Sequence, residues 1–275
     1  MLSIDPGKEN YLPPQPEDFA AIQQGNVIRG LNISEVAQLQ SYAWEEEPFD
    51  SAILLIHGFS SSPAVFRQFL PALTGFNGVF APCLPGHGSS LTDFSRNGAA
   101  EWVQVVDTWL EYLCQRFKKV SVLGFSLGGA LAYLASFRHP IHHLYLVAPA
   151  FTLHIPSRFL LALLPGLRYL GFYAVRSGAG NFYKPSDTEW VYRLLPLATT
   201  ESILRFLEQD FSKAPPCHTD IFLGRHDGVV NSPHIATICT TWPQQKCHWL
   251  EHAAHVLPLE EGWEHIVHRV NQAIL

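Results

Sequence analysis

Cysteine is scarce in this sequence and badly spaced for any framework. Cys83, Cys114, Cys217, Cys239 and Cys247 are odd in number and show no C-x-x-C pair. That argues against a disulfide scaffold and a thiolate metal site, and the expected state is reduced thiols in a cytoplasmic compartment. Charge is sparse as well. Asp, Glu, Lys and Arg together make 15% of the chain, the net charge is −6, and no basic run occurs. Nucleic acid is therefore not an expected partner. No uninterrupted apolar stretch reaches the roughly 20 residues of a membrane-spanning helix. Met1–Pro6 lacks the basic and apolar regions of a secretory signal, so neither a span nor a signal is expected. Histidine is plentiful, at 14 residues, yet there is no H-E-x-x-H, and His142-His143 and His265…His268 lack companion ligands at useful spacing. No metal and no cofactor is expected.

A hydrophobic fraction of 47% over 275 residues suits one α/β domain with room for an insertion. Short apolar, β-branched runs at Ala52–His57, Val79–Pro82, Lys119–Gly124, His142–Ala148, Thr219–Gly224 and Lys246–Leu250 read as strands. Helical patterns lie between and after them, near Pro63–Thr74, Ala99–Phe117, Leu127–Arg138, Ser232–Thr241 and Leu259–Leu275. This alternation predicts a mostly parallel central sheet with helices on both faces. Residues 1–50, rich in Pro, Gln and Glu, are expected to wrap that core as loop and short elements. The rhythm breaks between Ala150 and Pro216. Residues 150–216 read as a helical cap set above the carboxyl ends of the strands, with 1–149 and 217–275 forming the core. Within the cap, the apolar stretch Phe159–Tyr173 is interrupted by Pro165-Gly166 and carries Arg168. It admits two readings: a helix packed on the core, or an exposed apolar face that touches lipid surfaces.

The pentapeptide Gly124-Phe125-Ser126-Leu127-Gly128 falls between a predicted strand and a predicted helix. A serine on such a turn is forced into a strained backbone, and only very small residues fit two positions to either side. The turn lifts the hydroxyl out of the sheet, which is the geometry of a nucleophile elbow. Three other segments supply what acyl transfer to that serine needs. Ala52–Ile56 ends in His57-Gly58-Phe59, where the Phe59 amide, with that of Leu127, can form an oxyanion hole. His57 reads as a brace for that loop, not as a general base. The run Thr219–Gly224 is followed by Asp227, placed to orient an imidazole, while Asp220 lies within or before the strand and is the weaker candidate. The last strand-to-helix loop holds His252 and His255. His255, directly before the final helix signal, is taken as the base with His252 as the alternative, and His248 reads as a packing or surface residue.

The order Ser126…Asp227…His255 is that of the α/β-hydrolases. Together with H-G-F at His57–Phe59, P-G-H-G at Pro85–Gly88, G-F-S-L-G-G, G-R-H-D at Gly224–Asp227 and H-A-A-H-V-L-P at His252–Pro258, the chain resembles that superfamily. More narrowly, it resembles the bacterial carboxylesterases and monoacylglycerol lipases. It departs from them in placing Ala253-Ala254 before the histidine, where the family has a small residue and Gly. The resemblance implies an α/β-hydrolase fold and hydrolysis of a small-molecule acyl ester through Ser126, His255 and Asp227. A cap rich in Leu, Phe and Tyr fits a moderately lipophilic acyl group. Thioesterases, acyltransferases and carbon–carbon bond hydrolases use the same serine triad, and a non-catalytic binding protein can keep the fold.

Overall fold

The computed structural model describes residues 12–272. Strands β1 (Phe19–Gln23) and β2 (Asn26–Gly30), the short helix α1 (Ile33–Ala37), β3 (Tyr42–Glu45), β4 (Ser51–Ile56) and β5 (Gly78–Ala81) come first. Helices α2 (Leu91–Arg96) and α3 (Ala99–Arg116) lead to β6 (Lys119–Phe125), α4 (Leu127–Ala135) and β7 (His143–Val147). The following segment holds α5 (Ser157–Tyr169), β8 (Ala174–Arg176), β9 (Glu189–Tyr192), β10 (Leu194–Pro196) and α6 (Leu197–Phe206). The chain then adds β11 (His218–Gly224), α7 (Ser232–Cys239), β12 (Gln245–Leu250) and α8 (Trp263–Gln272).

Every residue of β4 and β7 is buried, and so is all of β6 after Lys119. Strands apolar on both faces need helices on both sides, and that requirement selects a parallel sheet. Seven strands pair in the order β12-β11-β7-β6-β4-β5-β3. All these pairs are parallel except β3–β5, which is antiparallel. Because Ile56 pairs with Gly124, Phe125 with Val147 and Gly224 with Leu250, these strands end near one level. The loops that follow β4, β6, β11 and β12 therefore emerge along one edge of the sheet, where open α/β folds place their sites.

Four expectations are corrected. The helix expected over Pro63–Thr74 is two 3₁₀ turns, Pro63–Phe66 and Leu70–Ala72. Pro71 has no amide to donate, and its ring would clash with the carbonyl four residues back in a continuous helix. The closing helix starts at Trp263, after a 3₁₀ turn at Leu257–Leu259 and after Gly262 at φ 90°. The end expected at 273–275 lies outside the described residues. The segment after Ala148 is not purely helical: β8 pairs with β10, and β9 pairs with β1. The amino-terminal part accordingly does more than wrap the core, since its hairpin forms a three-stranded sheet of order β2-β1-β9. Ala20, Ile22 and Val191 bury a small apolar cluster there. The expected wrapping by residues 1–11 lies outside the described residues. Helices α5 and α6 pack through Leu164, Leu197 and Leu204. Among the described residues, no helix is long and apolar enough to cross a membrane.

Candidate active site

The turn between β6 and α4 puts Ser126 at φ 53°, ψ −114°. A non-glycine residue held there costs on the order of 1–3 kcal/mol, so the surroundings must hold it in place. The Ser126 amide donates to the Val147 carbonyl (3.0 Å), and its own carbonyl accepts from Gly129 (2.9 Å) and Ala150 (3.0 Å). Close packing explains the glycines on either side. A Cβ on Gly124 would lie 2.2 Å from the Gly128 carbonyl oxygen, and one on Gly128 would lie 2.0 Å from that of Ile56. The start of α4 is thus pressed against both its own strand and β4.

The loops after β11 and β12 complete the arrangement. His255 Nε2 lies 3.0 Å from Ser126 Oγ, and His255 Nδ1 lies 2.8 Å from Asp227 Oδ2. The other oxygen of Asp227 accepts the amides of Val229 and Val230, each at 2.8 Å. A carboxylate only accepts, so Nδ1 carries the imidazole proton and Nε2 is free to accept from the serine. Burial alone would depress the imidazolium. The charge of Asp227, its hydrogen bond and the charge of Glu189 outweigh that, and His255 titrates above the ordinary histidine range.

The other candidates sit elsewhere. His252 is exposed, its ring stacked on Tyr183 at 6.1 Å. His57 is wholly buried: Nε2 accepts the Leu84 amide (3.0 Å), so Nδ1 holds the proton and donates to the Gly58 carbonyl (2.9 Å). Burial pushes its pKa down to about 4, and the neutral ring braces the loop as expected. Asp220 lies near the opposite end of β11, bonded by His143 Nε2 (2.7 Å), His248 Nε2 and Arg269 Nε (3.0 Å). Burial opposes its charge, but these three donors hold its carboxyl well below the usual range. His248 is thus a partner of Asp220 and not a free surface residue.

Phe59 borders the pocket over Ser126, and Leu127 is the first residue of α4. Neither amide donates to an acceptor among the described residues. A Cβ on Gly58 would stand 3.1 Å from the Phe125 ring and 3.4 Å from Ser126 Cβ, so the backbone passes close to Ser126. The pocket has a volume of about 200 Å³ and is walled by both parts of the chain. Gly58, Phe125 and Val229 come from the sheet end, and Ala179, Glu189 and Leu195 from the 150–216 segment.

Sequence reasoning missed three residues here. The Asn181 carbonyl accepts the amides of His255 (3.0 Å) and Val256 (3.3 Å), and its Oδ1 accepts the Gly228 amide (2.9 Å). Buried Glu260 accepts the amides of Tyr183, Lys184 and Ala254, each at 2.7 Å. Glu189 accepts the Gly180 amide (2.7 Å), and burial raises its pKa despite that bond and the charges of His255 and Arg67. Asn181 and Glu260 knit the 150–216 segment to the loops bearing Asp227 and His255, whereas Glu189 bonds within that segment and reaches His255 only through its charge, and no local pattern marks any of the three in advance. No group of three or more His, Cys, Asp or Glu able to hold a metal ion occurs among the described residues.

Comparison with known proteins agrees with this picture. A model of the alpha/beta hydrolase family matches residues 53–269. The thermostable monoacylglycerol lipase of Bacillus sp. (strain H-257) is 30% identical over 183 residues, covering 65% of this chain and 71% of that enzyme. A carboxylesterase of Bacillus subtilis (strain 168) is 24% identical over 228 residues, covering 77% of this chain and 87% of the other. Among solved structures, a metagenome-derived lipolytic enzyme superposes with a TM-score of 0.77 at 20% identity, covering 86% of this chain and 97% of that one.

Proposed function

The chain belongs to the alpha/beta hydrolase family as a carboxylic ester hydrolase, and on that premise we propose that it cleaves esters of moderately lipophilic acyl groups through Ser126, His255 and Asp227. The observation that carries the proposal is the continuous hydrogen-bonded line from Ser126 Oγ through the His255 ring to Asp227 Oδ2. Ser126 Oγ attacks the ester carbonyl carbon while His255 Nε2 takes its proton. Asp227 keeps the imidazole in the tautomer that can do this and stabilises the imidazolium that forms. The carbonyl oxygen becomes an oxyanion between the Phe59 and Leu127 amides. As that intermediate collapses, the bond to the alcohol breaks and His255 protonates the leaving oxygen. Water then attacks the acyl-enzyme with His255 again as base, releasing the acid and restoring Ser126.

Residues 150–216 act as the cap. They wall a pocket of about 200 Å³, smaller than the roughly 300–1,000 Å³ typical of pockets for drug-sized ligands. That size favours short and medium acyl chains over long ones. The substrate partner is thus a small-molecule acyl ester.

Hydrolysis of p-nitrophenyl esters from acetate to palmitate tests this reading. Ser126→Ala and His255→Ala should each lower kcat by roughly 10⁴–10⁶-fold, with His252→Ala near wild type. Wild-type rates in Ser126→Ala would refute the mechanism, and activity lost in His252→Ala but kept in His255→Ala would reassign the base. Labelling of Ser126 by a fluorophosphonate without turnover of any ester would redirect the reading to a thioester or carbon–carbon bond substrate.

A further inference from the structure

Helix α5 buries one face and leaves another apolar face uncovered. Leu160, Leu164 and Leu167, spaced as neighbours on one side, pack with α6. Phe159, Ala162, Leu163 and Gly166 follow the same helical spacing on another side, and all four face solvent. A helix that is apolar on both sides is normally buried or set against a second apolar phase. The exposure continues past its end: Phe159 is 58% exposed, Leu163 48%, Leu170 70% and Tyr173 85%. Scattered exposed apolar residues are ordinary on a protein surface, but a run of them on one helix and the turn after it is not.

Charge is distributed to match. Residues 150–186 contain Arg158, Arg168, Arg176 and Lys184 and no Asp or Glu, in a chain that as a whole carries 24 acidic against 18 basic residues. Arg168 is tied to Glu201 at 2.7 Å, whereas Arg158, on the first turn of α5, forms no ion pair among the described residues. An aromatic and aliphatic face that carries the unpaired Arg158 and no carboxylate of its own helix, on a protein of net negative charge, is complementary to an interface of apolar tails beneath negative headgroups. We infer that the outer face of α5 and the turn after it dock on an anionic phospholipid surface. The inference goes beyond ester cleavage, since it concerns where the molecule sits and stands whether or not Ser126 is the nucleophile.

The test is flotation of the full chain carrying Ser126→Ala with unilamellar vesicles of phosphatidylcholine, with and without phosphatidylglycerol. The protein should float with the mixed vesicles, and far less with phosphatidylcholine alone. Adding Phe159→Ser and Leu163→Ser should lower the partition coefficient about tenfold or more. Arg158→Glu should weaken binding to the mixed vesicles only. In the otherwise wild-type chain, the Phe159/Leu163 pair of changes should leave the melting temperature and the hydrolysis of a water-soluble ester unchanged, because neither side chain lines the pocket. Absence of flotation overturns the inference, as does flotation indifferent to the paired change. Equal binding to both vesicles overturns the anionic assignment. A concentration-dependent dimer abolished by the same paired change, without vesicle binding, would make the face a contact between two copies of this chain and sink the proposal.

Discussion

At His255 two carboxylates act on one imidazole from different distances. Asp227 bonds it directly, and Glu189 acts through space from the 150–216 side of the pocket. In the proposed mechanism His255 is the base and works only when neutral, so the acid limb of the kcat/KM profile should follow its pKa. With that pKa raised, the limb should lie above the roughly 6.5 of an ordinary histidine. Glu189→Gln removes a charge that favours the imidazolium, so the limb should move to lower pH. A limb that stays put in Glu189→Gln would show that Glu189 is neutral in the working enzyme and plays no electrostatic part. The contrast between these residues shows what a sequence discloses at this scale. Ser126 was legible because the elbow writes its steric demands into a pentapeptide, and Asp227 and His255 because each follows a strand that reads as one. Glu189 acts on a residue 66 positions later in the chain across an unrelated element, and leaves no local mark.

Elements that satisfy their own needs were the ones readable from sequence. Strands β4, β6, β7 and β11 appear as apolar runs because both faces are covered, and α3 and α4 as helical patterns before and after β6. The hairpin β1–β2 was not readable, because β2 is exposed along its whole length and β1 finds its partner, β9, only in the folded 150–216 segment. That long-range pairing has a consequence for the site. β9 carries Glu189, and the loop before it carries Asn181, whose side chain and carbonyl grip the Asp227 and His255 loops. Losing one neutral hydrogen bond is worth about 1 kcal/mol, close to a fivefold rate effect if it is felt only in alignment of the reacting groups. Asn181→Ala should therefore lower kcat roughly fivefold with KM little changed. Asn181→Asp, which keeps an acceptor facing the Gly228 amide, should retain most of the rate. A simple packing role would instead lower the melting temperature of both variants and leave kcat of the folded protein alone, so the two measurements made together discriminate.

The molecule as a whole is held by a mostly apolar core, and two histidines enclosed in it without a carboxylate partner make its stability depend on pH. His57 and His87 are enclosed and neutral. His57 is depressed to about 4 by burial, and His87 lies well below the ordinary value through burial and the nearby His57. As pH falls below about 6.5, the unfolded chain takes up protons at both positions while the native chain does not, so stability falls with pH. For His57 the window runs from about 6.5 down to about 4, and the loss across it is about 3 kcal/mol. His255 works in the opposite sense. Its pKa is raised, so its contribution is complete below about 6.5 and is lost as pH rises through the native value. Asp220, held far below the usual carboxylate range, contributes throughout this window and begins to lose its effect only in stronger acid. Three histidines are lowered, His57, His87 and the more exposed His142, against the raised His255 and the raised carboxyl of Glu189, and the two enclosed rings set a net destabilisation on acidification. The melting temperature followed by calorimetry should therefore decline steadily from about pH 6.5 to 4, before most carboxylates are protonated. A melting temperature flat across that range would mean that the enclosed histidines gain protons without unfolding, and that the loop around His57 opens more readily than its packing implies.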